Sequence, residues 1–406
     1  MIRFLKPLAL SCALALTVAG SVWLYDPGHV FAQSSVQSDK QRRAFRLIEE
    51  TLRIARIDAI YSEIRFAARE LYLPYYQSFA LKLKERGADP EQVHNAEALT
   101  RFLGFAVAAS DELEPVLDRR RDEIIADYAA VFARHMTNEQ LDLVQDALAT
   151  PAARKFGNII YAYSRIVTGY NKADFRSLDE IVDLALDMNI EIGENPLEPG
   201  DGPPPPPESV EKAEAIVADL LRISRFDDIV ADIVRFGNNT LLKLDSLEPS
   251  ERTEIRNGIH QIQFYYNLAK SMAVAVAPSA LANSASLADL DKLHRIVLTP
   301  VVSKSFDLIY DLVRETMSFS TLDLTTMKRL AKRGEKLEEQ DSGDSEKAGK
   351  EFEALGEKWA EILLNSLTPE TRLGLEESMD ALSDLAEEGE RQIKQRSGSG
   401  NGETQL

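Results

Sequence analysis

Leu52-Arg53-Ile54-Ala55-Arg56-Ile57-Asp58-Ala59-Ile60 is the stretch that decides the fold of this chain, because it occurs a second time as Leu221-Arg222-Ile223-Ser224-Arg225-Phe226-Asp227-Asp228-Ile229. Six of the nine positions are identical. In both copies the apolar residues recur at the spacing of an amphipathic helix, with arginine and acidic side chains between them. The repeated stretch therefore predicts the same core-facing helix in two places.

A second marker recurs in the same order along the chain. Thr150-Pro151-x-x-x-Lys155 is matched by Thr299-Pro300-x-x-x-Lys304. Two markers in one order indicate a duplicated domain. They are 98 residues apart in the first copy and 78 in the second, so about 20 residues are present in only one copy.

Helix-start signals follow one another through the first copy. Asp89-Pro90-Glu91-Gln92 offers a capping side chain and a proline at the first helical position, and Thr137-Asn138-Glu139-Gln140 is a capping box. Strand-like alternation with tight Asn-Gly or Asp-Gly turns is missing almost everywhere. The sequence predicts an all-α protein of two related helical-bundle units and a C-terminal helical hairpin.

Changes in composition along the chain predict its division. The run Pro203 to Pro207 predicts a stiff polyproline II spacer, and the Glu-, Asp- and Ser-rich text after Arg333 predicts a segment that is disordered or a loosely held helix end. We expect a signal peptide (1–32), helical unit 1 (38–192), a proline-rich linker (193–208), helical unit 2 (209–332), an acidic flexible segment (333–350), C-terminal helices (351–393) and a disordered tail (394–406).

Residues 1–32 have the pattern of a secretory signal peptide. Arg3 and Lys6 precede an apolar stretch over residues 8–25, and Val30-Phe31-Ala32 supplies small or permissive residues at the −3 and −1 positions of a cleavage site. An uncleaved anchor is the alternative, because 18 apolar residues can just span a bilayer. Cleavage is preferred, and it predicts a soluble protein of the periplasm of a Gram-negative bacterium.

Charge and cysteine content narrow the function classes. The chain has 47 basic and 66 acidic residues, for a net charge of −19. Such a charge repels phosphate backbones, so nucleic acid is not expected as a partner. The one cysteine, Cys12, lies within the signal segment. After cleavage, therefore, no disulfide, thiolate nucleophile or cysteine metal ligand is available.

Two consecutive segments resemble a known family. Met136-Thr137-Asn138-Glu139-Gln140-Leu141, followed by Thr150-Pro151-Ala152-Ala153-Arg154-Lys155, is similar to the motifs of the domain of unknown function 2059 family of exported bacterial proteins. Ala147 and Leu148 replace the family's Phe-Tyr pair. The resemblance implies a small helical periplasmic domain with no established activity, and the matched residues are those that cap and pack helices.

Motifs for catalysis or for binding cofactors are missing from the sequence. The histidines do not occur as His-Glu-x-x-His or at a spacing of three or four residues, so metal binding has no local support. The sequence also lacks a Gly-x-Ser-x-Gly elbow and a phosphate-binding glycine loop. We expect no cofactor and no metal, and an enzyme is the least favoured class.

Two recurring constellations are candidates for a site. Arg53 and Arg56, with Asp58, recur as Arg222 and Arg225, with Asp227. They could contact an anion or a partner in each unit, or they could form salt bridges that orient the first helix.

The second constellation is aromatic. It comprises Tyr72, Tyr75, Tyr76 and Phe79 near Pro74, and Phe264, Tyr265 and Tyr266 in the second copy. Such clusters either line a groove for an apolar ligand or belong to the core.

These observations favour a non-enzymatic interaction or scaffold protein of the bacterial envelope, whose partner is a protein that the sequence does not identify. The alternative is a binder of an apolar small molecule or lipid between helices. The two predict different surfaces. A scaffold exposes an apolar or aromatic patch, whereas a lipid binder encloses a continuous apolar cavity.

Overall fold

The computed structural model describes residues 38–188, 204–339 and 345–398. Within these ranges the chain is helical and has no β-strand, which confirms the all-α prediction. The helices are α1 (Asp39–Ala55), α2 (Ile57–Ala67), α3 (Leu73–Glu85), α4 (Pro90–His135), α5 (Asn138–Leu148), α6 (Pro151–Thr168), α7 (Lys172–Leu186), α8 (Pro207–Ile223), α9 (Phe226–Asn239), α10 (Pro249–Ser284), α11 (Leu287–Val297), α12 (Pro300–Thr316), α13 (Thr321–Glu339), α14 (Ser345–Leu364) and α15 (Pro369–Gly398). A π-helical turn, Ala68–Tyr72, joins α2 to α3, and a 3-10 turn, Leu241–Lys243, follows α9.

The predicted capping residues begin the helices at which they stand. The Asp89 carboxylate accepts from the backbone N–H of Glu91 at 2.9 Å. Thr137 and Gln140 form the reciprocal capping box, at 2.6 and 3.2 Å, and the Thr150 hydroxyl caps α6. Each contact satisfies a backbone donor that the first turn of a helix leaves free. Local sequence therefore sets these helix boundaries.

The junction between the first two helices is the same in both copies. Arg56 has φ 56° and Arg225 has φ 55°, and within the described ranges these are the non-glycine residues with positive φ. They hold equivalent positions in the repeated stretch. A side chain in this left-handed region costs about 1 kcal/mol or more, so its occurrence at both positions supports the duplication.

The first copy owes its greater length to helix rather than to loop. α3 has 13 residues and stands before the long helix of the first copy, whereas only the 3-10 turn and a short connection precede the long helix of the second. That long helix is also longer in the first copy, with 46 residues in α4 against 36 in α10. The π-helical turn ends two residues before Pro74, which cannot donate a backbone hydrogen bond.

The first compact unit consists of residues up to Val144 together with residues from Leu337 onward. We call it the α4 unit, because α1, α3, α14 and α15 all pack on α4. Its core joins Leu113, Leu117 and Ile124 of α4 to Trp359 and Leu363 of α14. The C-terminal helices thus complete this unit.

The second compact unit, Gln145–Lys336, is called the α12 unit. Its core includes Ile216 and Ile223 of α8 with Leu290 and Val297 of α11. It also contains α6 and α7, which pack on α12 although they belong to the first copy. The compact units therefore differ from the predicted units at 38–192 and 209–332, because these two helices pack against the second copy.

Paired lysines and aspartates fix this exchange of helices. Lys155 of α6 donates to Asp323 of α13 at 2.6 Å, and the equivalent Lys304 of α12 pairs with Asp174 of α7. The two aspartates are only 6% and 7% exposed. Each also accepts from the backbone N–H of its own helix's N-cap residue. Each marker lysine thus holds the following helix of the other copy.

Surface charges favour the same exchange. α7 lies on α11 with Glu180 2.7 Å from Arg295, and in α13 Arg333 lies 2.6 Å from Asp146 of α5. If each helix packed within its own copy, Glu180 would be near Asp146 and Arg333 near Arg295. Like charges at such distances destabilise, whereas opposite charges stabilise by roughly 0.2–1 kcal/mol per exposed pair. The charges therefore oppose the packing that the sequence repeat alone suggests.

Three further predicted segments differ from the structure. α8 begins at Pro207, so the last two residues of the expected linker are helical. α13 continues to Glu339 and α14 starts at Ser345, so most of the acidic segment is helical, because Glu, Lys and Ala are good helix formers. α15 runs to Gly398, into the expected tail. The signal peptide (1–32) and residues 193–203 of the linker lie outside the described residues.

We expect Gly374→Ala to lower the free energy of unfolding by about 1–3 kcal/mol, because a Cβ there would overlap the Phe105 ring, where α15 meets α4. Gly104→Ala is the matched control, since its Cβ would meet nothing within 4 Å. It should stabilise α4 by up to about 1 kcal/mol. Urea denaturation measures both variants. Equal effects would contradict the close packing of α15 on α4.

Asp323→Ala should lower the free energy of unfolding by about 1–3 kcal/mol, because it removes the buried carboxylate that accepts from Lys155 and from the backbone N–H of Ser320. Asp311→Ala, which breaks the exposed pair with Arg314, should change it by less than about 1 kcal/mol. Urea denaturation of both variants tests this difference, and similar losses would show that the buried pair is unimportant.

The contribution of Asp323 to the free energy of unfolding also depends on pH. Burial raises the pKa of Asp323, but hydrogen bonds from Lys155 and Ser320 outweigh burial and hold it below the ordinary 3.8. A carboxyl group whose pKa is lower in the folded state stabilises that state at pH values above the pKa that the group has in the unfolded chain. The contribution should therefore be full at neutral pH and disappear as the pH falls through the lowered pKa.

Candidate functional site

The predicted arginines Arg53 and Arg222 make the same local contact in each copy. Arg53 donates to Glu50 at 2.8 Å, and Arg222 donates to Asp219 at 2.9 Å. Both pairs are three residues apart on one helix, and both arginines are well exposed. Such pairs stabilise a helix by a few tenths of a kcal/mol.

Arg56 and Arg225 stand at the helix junctions, and Arg225 is fully engaged. Its guanidinium lies 3.8 Å from the centre of the Tyr310 ring and 3.0 Å from carboxylate oxygens of both Asp228 and Asp307. This combination of cation–π contact and ion pairs ties the start of α9 to α12. Arg53 and Arg56 belong to the α4 unit, and Arg222 and Arg225 belong to the α12 unit. An anion or partner role for them stays a prediction.

The repeated aspartates differ in their surroundings. Asp227 accepts from the Tyr266 hydroxyl at 2.8 Å and from Lys270 at 2.7 Å, and these bonds lower its pKa. The equivalent Asp58 has a buried Oδ1 with no hydrogen-bond partner. Burial raises the pKa of Asp58 to about 7, and only the charge of Arg121 opposes the shift. The surroundings of Asp227 thus favour its ionised form, whereas those of Asp58 disfavour it.

These aspartates should respond oppositely to substitution. Because the pKa of Asp58 rises from the ordinary 3.8 to about 7 in the folded state, the unfolded chain ionises first as the pH rises, and the native state loses stability until the pH passes about 7. Asp58→Asn should therefore gain melting temperature relative to the wild type from pH 5 to pH 8. Asp227→Asn should lower it by the same amount at both values, since the lowered pKa of Asp227 keeps it ionised throughout. Thermal unfolding at the two pH values decides, and parallel curves for Asp58→Asn would refute the raised pKa.

The two aromatic clusters have different surroundings. In α3, Tyr75 and Phe79 stack with centroids 6.2 Å apart, and Phe79 packs on the buried Ala80 and Leu83. In α10, by contrast, Phe264 and Tyr265 are each 62% exposed. The first cluster adjoins a small core, whereas the second lies on the surface.

Tyr265 belongs to a longer apolar stripe on α10. The stripe has the alternating three- and four-residue spacing of helices that pair side by side, and we call it the α10 seam. Its members are Ile262, Tyr265, Ala269, Met272 and Val276. Ile262, Tyr265 and Met272 are 43%, 62% and 50% exposed, and Leu268 beside them is 46% exposed. Tyr266 and Lys270, which face Asp227, lie roughly a quarter of the way around α10 from the centre of the seam.

The first part of the equivalent face of α4 is covered. Leu113 and Val116 stand at the same distances before the Thr-Pro marker as Ile262 and Tyr265, and they lie in the core formed with α14 and α15. Further along this face, Asp127 pairs with Lys358 of α14 at 2.8 Å. Near the register of Ile262 and Tyr265, therefore, α4 packs against the two helices α14 and α15.

The seam also stands apart electrostatically. Residues 255–288 contain no Asp or Glu, although the whole chain has 66 acidic residues. The basic side chain nearest the seam, Lys270, is paired with Asp227. The seam is therefore an uncharged surface on a strongly acidic protein. The sequence carried both signals, the spacing and the lack of acids, but its periodicity alone does not distinguish a covered face from an exposed one.

Two surface grooves are lined mainly by polar and charged side chains. One, of about 440 Å³, follows α13. Its lining includes Lys328, Arg329, Lys332, Arg333 and Lys336. The other, of about 290 Å³, includes Arg65, Arg69 and Glu114 of the α4 unit. Neither has the continuous apolar lining of a lipid site.

In the described part of the chain, no group of three or more His, Cys, Asp or Glu residues is arranged to hold a metal ion. Of the helices described, none combines the length and apolarity needed to cross a membrane. No protein-family model, curated protein or solved structure matches the chain.

Proposed function

We propose that this protein is a non-enzymatic interaction protein of the bacterial envelope that presents the α10 seam to a polypeptide partner. One observation carries the proposal: large apolar side chains are 43–62% exposed along one uncharged helix face. The envelope assignment rests on the signal-peptide pattern of residues 1–32 and on the resemblance to the domain of unknown function 2059 family.

Burying the seam against a protein partner is energetically more favourable than leaving it exposed to water. Burying an exposed Ile, Leu or Met side chain contributes about 1.5–3 kcal/mol, so the seam offers several kcal/mol to whatever covers it. A seam of three- and four-residue steps matches the side of another helix, in the manner of helix-in-groove recognition. An apolar small molecule needs an enclosed cavity instead, and the two grooves described above are lined largely by charged residues.

A photoreactive phenylalanine analogue at position 265 should crosslink to a polypeptide in intact cells. The same analogue at Asn267, which is also exposed but on the opposite side of α10, should give at least about tenfold less product. Adding Met272→Glu should abolish the product at position 265, because a charge on the seam must be desolvated on binding. Equal labelling at both positions, or labelling unaffected by Met272→Glu, would refute the docking role.

Met272→Glu should leave the free energy of unfolding within about 0.5 kcal/mol of the wild type, because Met272 is half exposed. Urea denaturation checks this and separates docking from folding. A loss of several kcal/mol would mean that the seam is part of the core rather than a surface for a partner.

A further inference from the structure

We infer that the occupant of the α10 seam is a second copy of this chain, so that two copies pair through antiparallel α10 helices. The inference rests on the proposed function and names its partner. A contact between identical seams is isologous, with one surface serving both copies, which is the commonest symmetry of soluble homo-oligomers.

Charge is the first reason to choose a second copy. Each chain carries a net charge of −19, so most surface contacts between two copies bring like charges together and are repulsive. Residues 255–288 contain no acidic side chain. The helix that carries the seam therefore brings no carboxylate of its own to a contact between two copies.

The internal duplication is the second reason. On α4, Leu113 and Val116, which stand at the register of Ile262 and Tyr265, pack against α14 and α15 of the same chain. The Trp359 segment of that hairpin itself resembles the segment from Tyr128 to Leu141, so the chain already pairs related helices along this face. A second α10 brings a related helix face to the exposed position.

The side chains fit an antiparallel pair centred on Ala269. The small Ala269 lets the two helix axes approach closely at the two-fold axis. Tyr265 of each copy then lies near Met272 of the other, because the two residues are almost equally far from the centre, and a thioether packs favourably on an aromatic ring. Ile262 lies near Val276 in the same way. The antiparallel orientation also opposes the two helix dipoles.

A single cysteine tests this geometry directly, because Cys12 is the only cysteine in the chain. In a Cys12→Ser background, Ala269→Cys should form an intermolecular disulfide under mild oxidation, since a residue at the two-fold axis faces its own copy. Asn267→Cys, on the opposite side of α10, is the matched control. We expect at least about tenfold more disulfide-linked dimer from Ala269→Cys on non-reducing gels.

Sedimentation of the full chain provides the second measurement. The wild type should shift from monomer to dimer as concentration rises through about 1–100 μM, the range expected for an interface smaller than the standard size. Met272→Glu should stay monomeric throughout, whereas Asn267→Glu should behave as the wild type.

The outcomes separate the dimer from the proposed function. A wild type that stays monomeric, with no Ala269→Cys disulfide, overturns the dimer. If position 265 still crosslinks to a different polypeptide, the proposed function survives that result. A dimer that is insensitive to Met272→Glu and not linked through Ala269→Cys forms elsewhere, which also overturns the inference. Loss of both the dimer and the crosslink at position 265 overturns both.

Discussion

The α12 unit depends on two reciprocal ion pairs, Lys155 with Asp323 and Lys304 with Asp174. A buried carboxylate is costly unless it is paired and hydrogen-bonded. Here each aspartate accepts a lysine from the other copy while it caps its own helix. Each carboxylate thus accepts a hydrogen bond at the start of its own helix and also pairs with a lysine of the other copy. A substitution of either aspartate therefore removes both contacts.

The exchange explains why the repeats and the compact units do not coincide. A duplicated sequence offers each terminal helix two chemically similar sites, one in its own copy and one in the other. The apolar faces cannot discriminate strongly between these sites, because both copies retain the same periodicity. The charges can, since Glu180 and Arg333 have opposite signs and each lies on an oppositely charged partner. Individually weak pairs thereby decide between two packings of similar apolar area.

Local order was predictable from the sequence, whereas the choice of partner was not. Thr137 and Thr150 cap the predicted helices because the backbone N–H groups that donate to their hydroxyls lie only three residues away. Lys155, in contrast, meets an aspartate 168 residues away, and no local pattern indicates which copy supplies it. The same distinction applies to the repeated arginines. The three-residue spacing of Glu50 and Arg53 indicates a local ion pair, but no local pattern indicates that the Tyr310 ring lies beneath Arg225. Leu113 and Ile262 share one periodicity, so burial of the first and exposure of the second depend on where residues 345–398 pack.

The long helices α4 and α10 differ in residue type at the equivalent positions of the seam. At these positions α4 carries Arg120, Glu123 and Asp127, whereas α10 carries Ala269, Met272 and Val276. Arg120 and Glu123 are exposed on α4, as Ala269 and Met272 are on α10, so solvent-facing positions are charged on one helix and apolar on the other. On α4 the charges are usable, because Arg120 lies over the Trp359 ring and Asp127 pairs with Lys358. On α10 the half-exposed apolar side chains contribute less to the fold described than buried ones would, and the proposed docking role accounts for their placement.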